Sequence, residues 1–187
     1  LHYYLALNYV PCPHTLVEGV DKLPPGHLLE WKDGRVRTEP YWQLRFEPRG
    51  DLSLGAAEEE LEHLLKQSIR DHLLSDVPLG VWLSGGVDSS TILHYAREAS
   101  ASRLKTCSIS FQGRSFDETP YIREMARRYE TEHHELDLNP TLDLPSAVEE
   151  LAYYSDEPFA DAGAVPVWFL ARLSRQKVTV ALSGEGA

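Results

Sequence analysis

The sequence predicts an α/β fold, a parallel sheet with helices on both faces, preceded by a smaller β-rich segment. Three observations carry this. From Ala56 onward, short β-type runs alternate with amphipathic helical patterns, the order of βαβ units on a parallel sheet. The run Val77–Leu83 is almost wholly apolar, as a strand covered on both faces must be. That run stops at Ser84-Gly85-Gly86 and a helical pattern follows, so a small polar loop joins a buried strand to a helix N-terminus.

Residues 1–46 read differently. They are aromatic, lack helical periodicity, and carry Pro11, Pro13, Pro24 and Pro25, which favour loops between short strands. "HLLEWKDGRVRTEPYW" reads as a hairpin, with Asp33-Gly34 supplying a turn that needs positive φ. Residues 47–57, with Pro48, Gly50 and Gly55, read as a linker, and 58–187 as the first part of a second domain. There Leu61, Leu64, Leu65, Ile69 and Leu73 form one stripe of a helix that opens on Glu58-Glu59-Glu60, acids suited to a helix N-terminus. Strands are predicted at "VPLGVWL", "LKTCSISF", "EHHELDL" and "KVTVALSG". Helices are predicted from Ser89 to Glu98, over "TPYIREMARRYE" with Pro120 in its first turn, from Pro145 to Tyr154, and within "DEPFADAGAVPVWFLARLSRQ".

The chain has 187 residues, 42% hydrophobic and 25% charged, an ordinary globular balance that excludes disordered and fibrous classes. Its net charge of −11 argues against a nucleic-acid partner, because phosphate backbones need a basic face. No apolar run reaches membrane-spanning length, so no membrane partner is expected. Cys12 and Cys107 stand far apart in no metal-like spacing and read as reduced thiols of a cytoplasmic protein. In "EHHE", strand alternation puts His133 and His134 on opposite faces, which argues against a metal pair.

The loop "SGGVDSS" carries the chemistry. Gly85 and Gly86 permit close backbone approach, Ser84, Ser89 and Ser90 offer hydroxyls, and the helix that follows presents free N–H groups. Together they make an anion cradle suited to phosphate. It lacks the Lys of a Walker loop, and Ser89 stands where the dinucleotide fingerprint has its third glycine. Asp88 would repel a phosphate unless a cation mediates, which calls for Mg²⁺. The competing reading is a helix-capping Asp after a tight Gly-Gly turn.

"SGGVDSS" resembles the SGGxDS pyrophosphate loop of the N-type ATP pyrophosphatases, the PP-loop or adenine nucleotide alpha-hydrolase-like fold. More specifically, "FDETPYIREMARRYETEHHE" and "YSDEPFADAGAVPVWFLARLSRQKVTVALSGEGA" are similar in order and spacing to blocks of glutamine-dependent asparagine synthetases, and "NYVPCPHTLVEGVDKLPPGHLLEW" resembles the end of that family's glutaminase domain. The resemblance implies an ATP-dependent ligase that makes asparagine from aspartate through aspartyl-AMP, releasing AMP and pyrophosphate, with glutamine or ammonia as nitrogen source. By the same resemblance, Ser84, Gly85, Gly86, Asp88 and Ser89 would hold the pyrophosphate part of ATP, with Mg²⁺ on Asp88. Trp82, Ile109, Ser183 and Gly184 would contact the adenosine part, and Glu185 would face the reacting carboxylate, making Asp88 and Glu185 the expected catalytic pair. A homodimer is compatible with this reading.

The sequence also departs from the family. The glutaminase nucleophile there is an N-terminal cysteine; position 1 here is Leu, and Cys12 sits in a proline-flanked loop, so no glutamine hydrolysis is expected of this chain. The abrupt ends at Leu1 and Ala187 suggest a fragment of a longer ligase, inactive by itself. Alternatives are a sibling amidotransferase acting on another carboxylate and a non-catalytic nucleotide-binding module.

Overall fold

Proline placement decides where the N-terminal part can be regular. The computed structural model describes residues 1–48, 50, 52–111, 117–138 and 143–185. They fall into two compact units, Leu1–Asp51 with Ala152–Ala162, and Leu52–Leu151 with Gly163–Ala187. Arg49 and Asp51 of the expected linker, and Gly186 and Ala187 of the "SGEGA" block, lie outside the described residues.

In the first unit, residues before the first proline form a helix that the sequence reading did not assign, α1 (His2–Leu7). Asn8 ends it in the left-handed conformation at φ 65°, its N–H donating to Tyr4 O at 2.8 Å. The hairpin expected around Asp33-Gly34 is present as β1 (His27–Lys32) and β2 (Arg35–Pro40), antiparallel, with Trp31 opposite Val36. Asp33 and Gly34 take φ 51° and 72°, the positive pair that a two-residue hairpin turn demands. Lys22 pairs with Glu157 and donates to Val10 O at 2.7 Å, while Ala160 N–H donates to Asn8 O at 3.0 Å, so segment 152–162 is stitched into this unit.

The second unit is built on four parallel strands. Its elements are α2 (Leu54–His72), β3 (Leu79–Trp82), α3 (Val87–Ala99), β4 (Lys105–Ser110), α4 (Thr119–Arg128), β5 (Glu132–Asp137), α5 (Leu144–Tyr154) up to Leu151, α6 (Ala164–Arg175) and β6 (Val180–Leu182). The sheet order is β5-β4-β3-β6. Val81 lies beside Thr106 on β4 and Leu182 on β6, and Cys107 beside His134 on β5. Alternation then sorts the faces. Val81 and Leu83 pack with Ile69 of α2, Leu93 and Ala96 of α3, and Ile122 and Ala126 of α4. Trp82, on the other face, reaches Ser174 of α6. The sheet therefore has helices on both faces.

Helix α2 starts four residues before the Glu58–Glu60 run. The Ser53 hydroxyl accepts the Ala56 N–H at 3.2 Å, so a serine cap sets the start and the acids fall in the second turn. The predicted stripe is only partly used: Ile69 is buried, but Leu61 and Leu64 are 58% and 53% exposed because the core meets only the C-terminal half of the helix.

One buried face of β4 is polar. His133 Nδ1 bonds the Thr106 hydroxyl at 2.9 Å and its Nε2 the Ser108 hydroxyl at 3.2 Å, while Thr106 also bonds Thr131 at 2.8 Å. His134, on the opposite face, bonds Glu132 at 3.1 Å. Arg123 clamps Glu135 through two bonds of 2.9 and 2.8 Å, which hold that carboxyl below the usual range. Burial pushes the His133 imidazole below its ordinary 6.5, against the opposing pull of Glu135. Because the folded pKa is lowered, the unfolded chain takes up the proton first. The stabilisation is thus whole above pH 6.5 and declines as pH falls through that value toward the folded pKa. Urea unfolding at about pH 7.5 and about pH 5.5 should show a lower midpoint at the acid value. His133→Gln should flatten that difference; an unchanged slope in the variant would assign the effect elsewhere.

Candidate functional site

In a parallel α/β sheet all strands point the same way, so their C-terminal ends and the helix N-termini that follow collect at one edge. Here that edge holds a cavity of about 880 Å³. Trp82, Leu83 and Ser84 reach it from the end of β3, Ile109 and Phe111 from β4, and Ser183, Gly184 and Glu185 from the segment after β6. Gly86, Asp88 and Ser89 enter from the start of α3, Asp117, Glu118 and Tyr121 from the start of α4, and Pro166, Val167 and Leu170 from α6.

Of the residues singled out in the sequence, Trp82, Ser84, Gly86, Asp88, Ser89, Ile109, Ser183, Gly184 and Glu185 line this one cavity. Gly85 does not; it faces α4. Its φ is 80°, and an added Cβ would stand 2.9 Å from Tyr121 Cβ and 3.1 Å from Ile122 N. Glycine there satisfies both a left-handed turn and a close helix contact. Gly184 is held as tightly on the other side: a Cβ would lie 2.7 Å from Ser89 N. The loop is thus gripped between α4 and the segment after β6.

Inside the loop, Ser89 is buried and its hydroxyl is turned inward. It accepts the Ser84 N–H at 3.2 Å, donates to Gly86 O at 3.3 Å and lies 2.9 Å from the Ser84 hydroxyl. Gly86 N–H donates to the Ser84 hydroxyl at 3.3 Å. Gly86, not Asp88, is the N-cap of α3, and the first in-helix bond runs from Ser90 N–H to Gly86 O at 3.1 Å. The N–H groups of Val87, Asp88 and Ser89 therefore precede any carbonyl of their own helix, the arrangement that receives anions at helix N-termini. Asp88 is exposed in that first turn, with no cap to make.

Four carboxylates, those of Asp88, Asp117, Glu118 and Glu185, line the cavity, and no Lys or Arg does so among the described residues. Asp117 is oriented by Thr119, whose N–H donates to it at 3.0 Å and whose hydroxyl bonds the same oxygen. A cradle of N–H donors beside acids can take a polyanion only with a cation between them. The all-oxygen donor set fits a hard divalent ion. Among the described residues no three His, Cys, Asp or Glu side chains converge on one cation position. Such an ion would need oxygens from the bound molecule as well.

The family model for asparagine synthase matches residues 60–187. The chain belongs to the asparagine synthase family. It is 34% identical over 187 residues to a Methanocaldococcus jannaschii protein provisionally named glutamine-hydrolyzing asparagine synthetase 2, covering 98% of this chain and 36% of that protein. It is 34% identical over 188 residues to Bacillus subtilis glutamine-hydrolyzing asparagine synthetase 1, covering 100% of this chain and 29% of that one. The chain thus spans about a third of the length of these curated relatives. A solved structure, the NH3-dependent NAD synthetase from Campylobacter jejuni with nitrate, covers 66% of this chain and 54% of its own at TM-score 0.44 and 12% identity. Among the described residues no helix is long and apolar enough to cross a membrane.

The sequence reading missed Phe111, Asp117, Glu118, Tyr121, Pro166, Val167 and Leu170 as cavity residues. A signal was available for all but Leu170, which lies in mid-helix: the others follow a strand or lie at the start of a helix, and helix N-termini of a parallel sheet share one edge. Gly85→Ala should lower unfolding free energy by about 2–3 kcal/mol, the sum of a left-handed backbone penalty and a clash with α4. Gly184→Ala should cost about 1–3 kcal/mol through the Ser89 contact alone. Chemical denaturation measures both, and a loss under about 0.5 kcal/mol at Gly85 would contradict the tight contact described.

Proposed function

We propose that the protein is the ATP-binding part of an amide-forming ligase that activates a carboxylate as its adenylate, with aspartate as the substrate and asparagine as the product. The observation that carries this reading is the junction at Ser84–Ser90 in a chain of the asparagine synthase family. Free helix N–H groups, a glycine turn and Asp88 open onto a cavity whose opposite wall is apolar and aromatic. That division suits a molecule with a charged phosphate end and a planar base.

ATP would lie with its phosphates against Ser84, Gly86 and the first turn of α3, and its adenosine part beside Trp82, Ile109, Ser183 and Gly184. Gly85 shapes the turn, and Ser89 holds the loop closed from within. Asp88 is the residue to hold Mg²⁺ together with phosphate oxygens; the ion would neutralise charge on departing pyrophosphate. The substrate carboxylate attacks the α-phosphorus, a P–O bond forms, the α–β bridge breaks, and pyrophosphate leaves into the N–H cradle. Ammonia then attacks the aspartyl-AMP carbonyl, and AMP departs with the C–O bond electrons. Glu185 lies at the cavity edge where the reacting carboxylate would sit. In the longer ligase, glutamine supplies the ammonia. The free thiols of Cys12 and Cys107 fit a reducing compartment, the cytoplasm.

ATP–pyrophosphate exchange by a full-length ligase that carries this chain, with Mg²⁺ and scanned over amino acids, tests the reading. Exchange stimulated by aspartate is expected, and Asp88→Ala should reduce it by about 100-fold or more. Stimulation by a different acid would keep the adenylation chemistry and replace the substrate. No exchange with any acid by the folded full-length ligase would overturn the ligase reading.

A further inference from the structure

The apolar walls of the cavity are joined by one buried hydroxyl. Trp82 donates its indole N–H to Ser174 Oγ at 2.8 Å, across 92 residues of sequence. Ser174, 4% exposed in the last turn of α6, donates its own proton back to Leu170 O at 2.7 Å. Both ends of this relay belong to the cavity: Trp82 lines it from β3, and Leu170, with Pro166 and Val167, lines it from α6. The bond direction is dictated by the donors. Indole can only donate, so Ser174 must accept from Trp82, which leaves its proton for the carbonyl one turn back. Cys107, the register partner of Trp82, is buried against the same Ser174 hydroxyl, and burial pushes its thiol pKa up, so it stays neutral beside the relay. The phosphate end lies elsewhere; the loop bonds among Ser84, Gly86 and Ser89 involve neither Trp82 nor α6.

We infer that Ser174 is a positioning residue for the nucleotide base, holding the Trp82 ring and the C-terminal half of α6, with Leu170, at the separation that a planar heterocycle fills. The inference rests on the ATP reading given above and goes beyond it, because it assigns base affinity to a side chain that does not line the cavity. Without the hydroxyl, a partly buried indole N–H loses its acceptor and the Leu170 carbonyl its side-chain donor. The β3 and α6 walls then relax independently, while the phosphate cradle stays as it is.

Isothermal titration of the protein with ATP and with inorganic tripolyphosphate, each with Mg²⁺, separates the two ends of the site. Ser174→Ala should weaken ATP about tenfold and leave tripolyphosphate within about twofold. Trp82→Phe, which keeps an aromatic ring in the wall and removes only the donor side, should show the same split. Equal weakening of both ligands would mark a general structural effect and overturn the inference. Unchanged ATP affinity in Ser174→Ala would also overturn it, while leaving the ATP reading intact. A wild-type protein that binds neither ligand would overturn both.

Discussion

The site depends on a turn that only glycine makes comfortably. Between the last residue of β3 and the first turn of α3 the chain must reverse from strand to helix within four residues, beneath a neighbouring helix that leaves no space for a Cβ. Gly85 at φ 80° does this. Everything that gives the edge its chemistry follows. The helix N–H groups emerge beside the strand end, Asp88 sits exposed in the first turn, and Ser89 folds inward to tie the loop to itself. The approach of Gly184 to Ser89 closes the other side and fixes the distance between β6 and the loop.

Charge then selects what the edge can accept. Oriented N–H groups favour an anion, yet the cavity is ringed by carboxylates, and the chain as a whole carries −11. Four carboxylates at close quarters oppose a bare polyanion, and a cation between them would offset that repulsion. The opposite wall is apolar and tied together through Trp82, Ser174 and Leu170, so the two halves of the cavity obey different physics, electrostatic on one side and packing on the other.

Much of the fold was legible because its signals are local. The alternation of β runs and helical stripes gave the order of elements, and Asp33-Gly34 gave the hairpin turn through its need for positive φ. Helix ends were less legible. The Glu58–Glu60 run looked like the start of α2, but the Ser53 cap outweighs it and the helix begins at Leu54. Helix α1 went unread because six residues ahead of a proline-rich stretch are too short for a period to show. The exposure of Leu61 and Leu64 could not be read from the stripe at all, since a stripe says which residues share a face and not how far the core extends beneath it.

By itself the sequence determined the fold class, the strand–loop–helix junction at Ser84–Ser90 and the residue types available there, since each rests on spacing and steric preference over a few residues. The tertiary structure alone decided which distant segments meet. It brought Asp117, Glu118 and Tyr121 of one helix start and Leu170 from the middle of another helix into the same cavity. It turned the Ser89 hydroxyl inward and placed Ser174 against Trp82. The reason is geometric: in a parallel sheet, strands distant in the chain end side by side, and which side chains then touch depends on register and helix placement that no local pattern encodes.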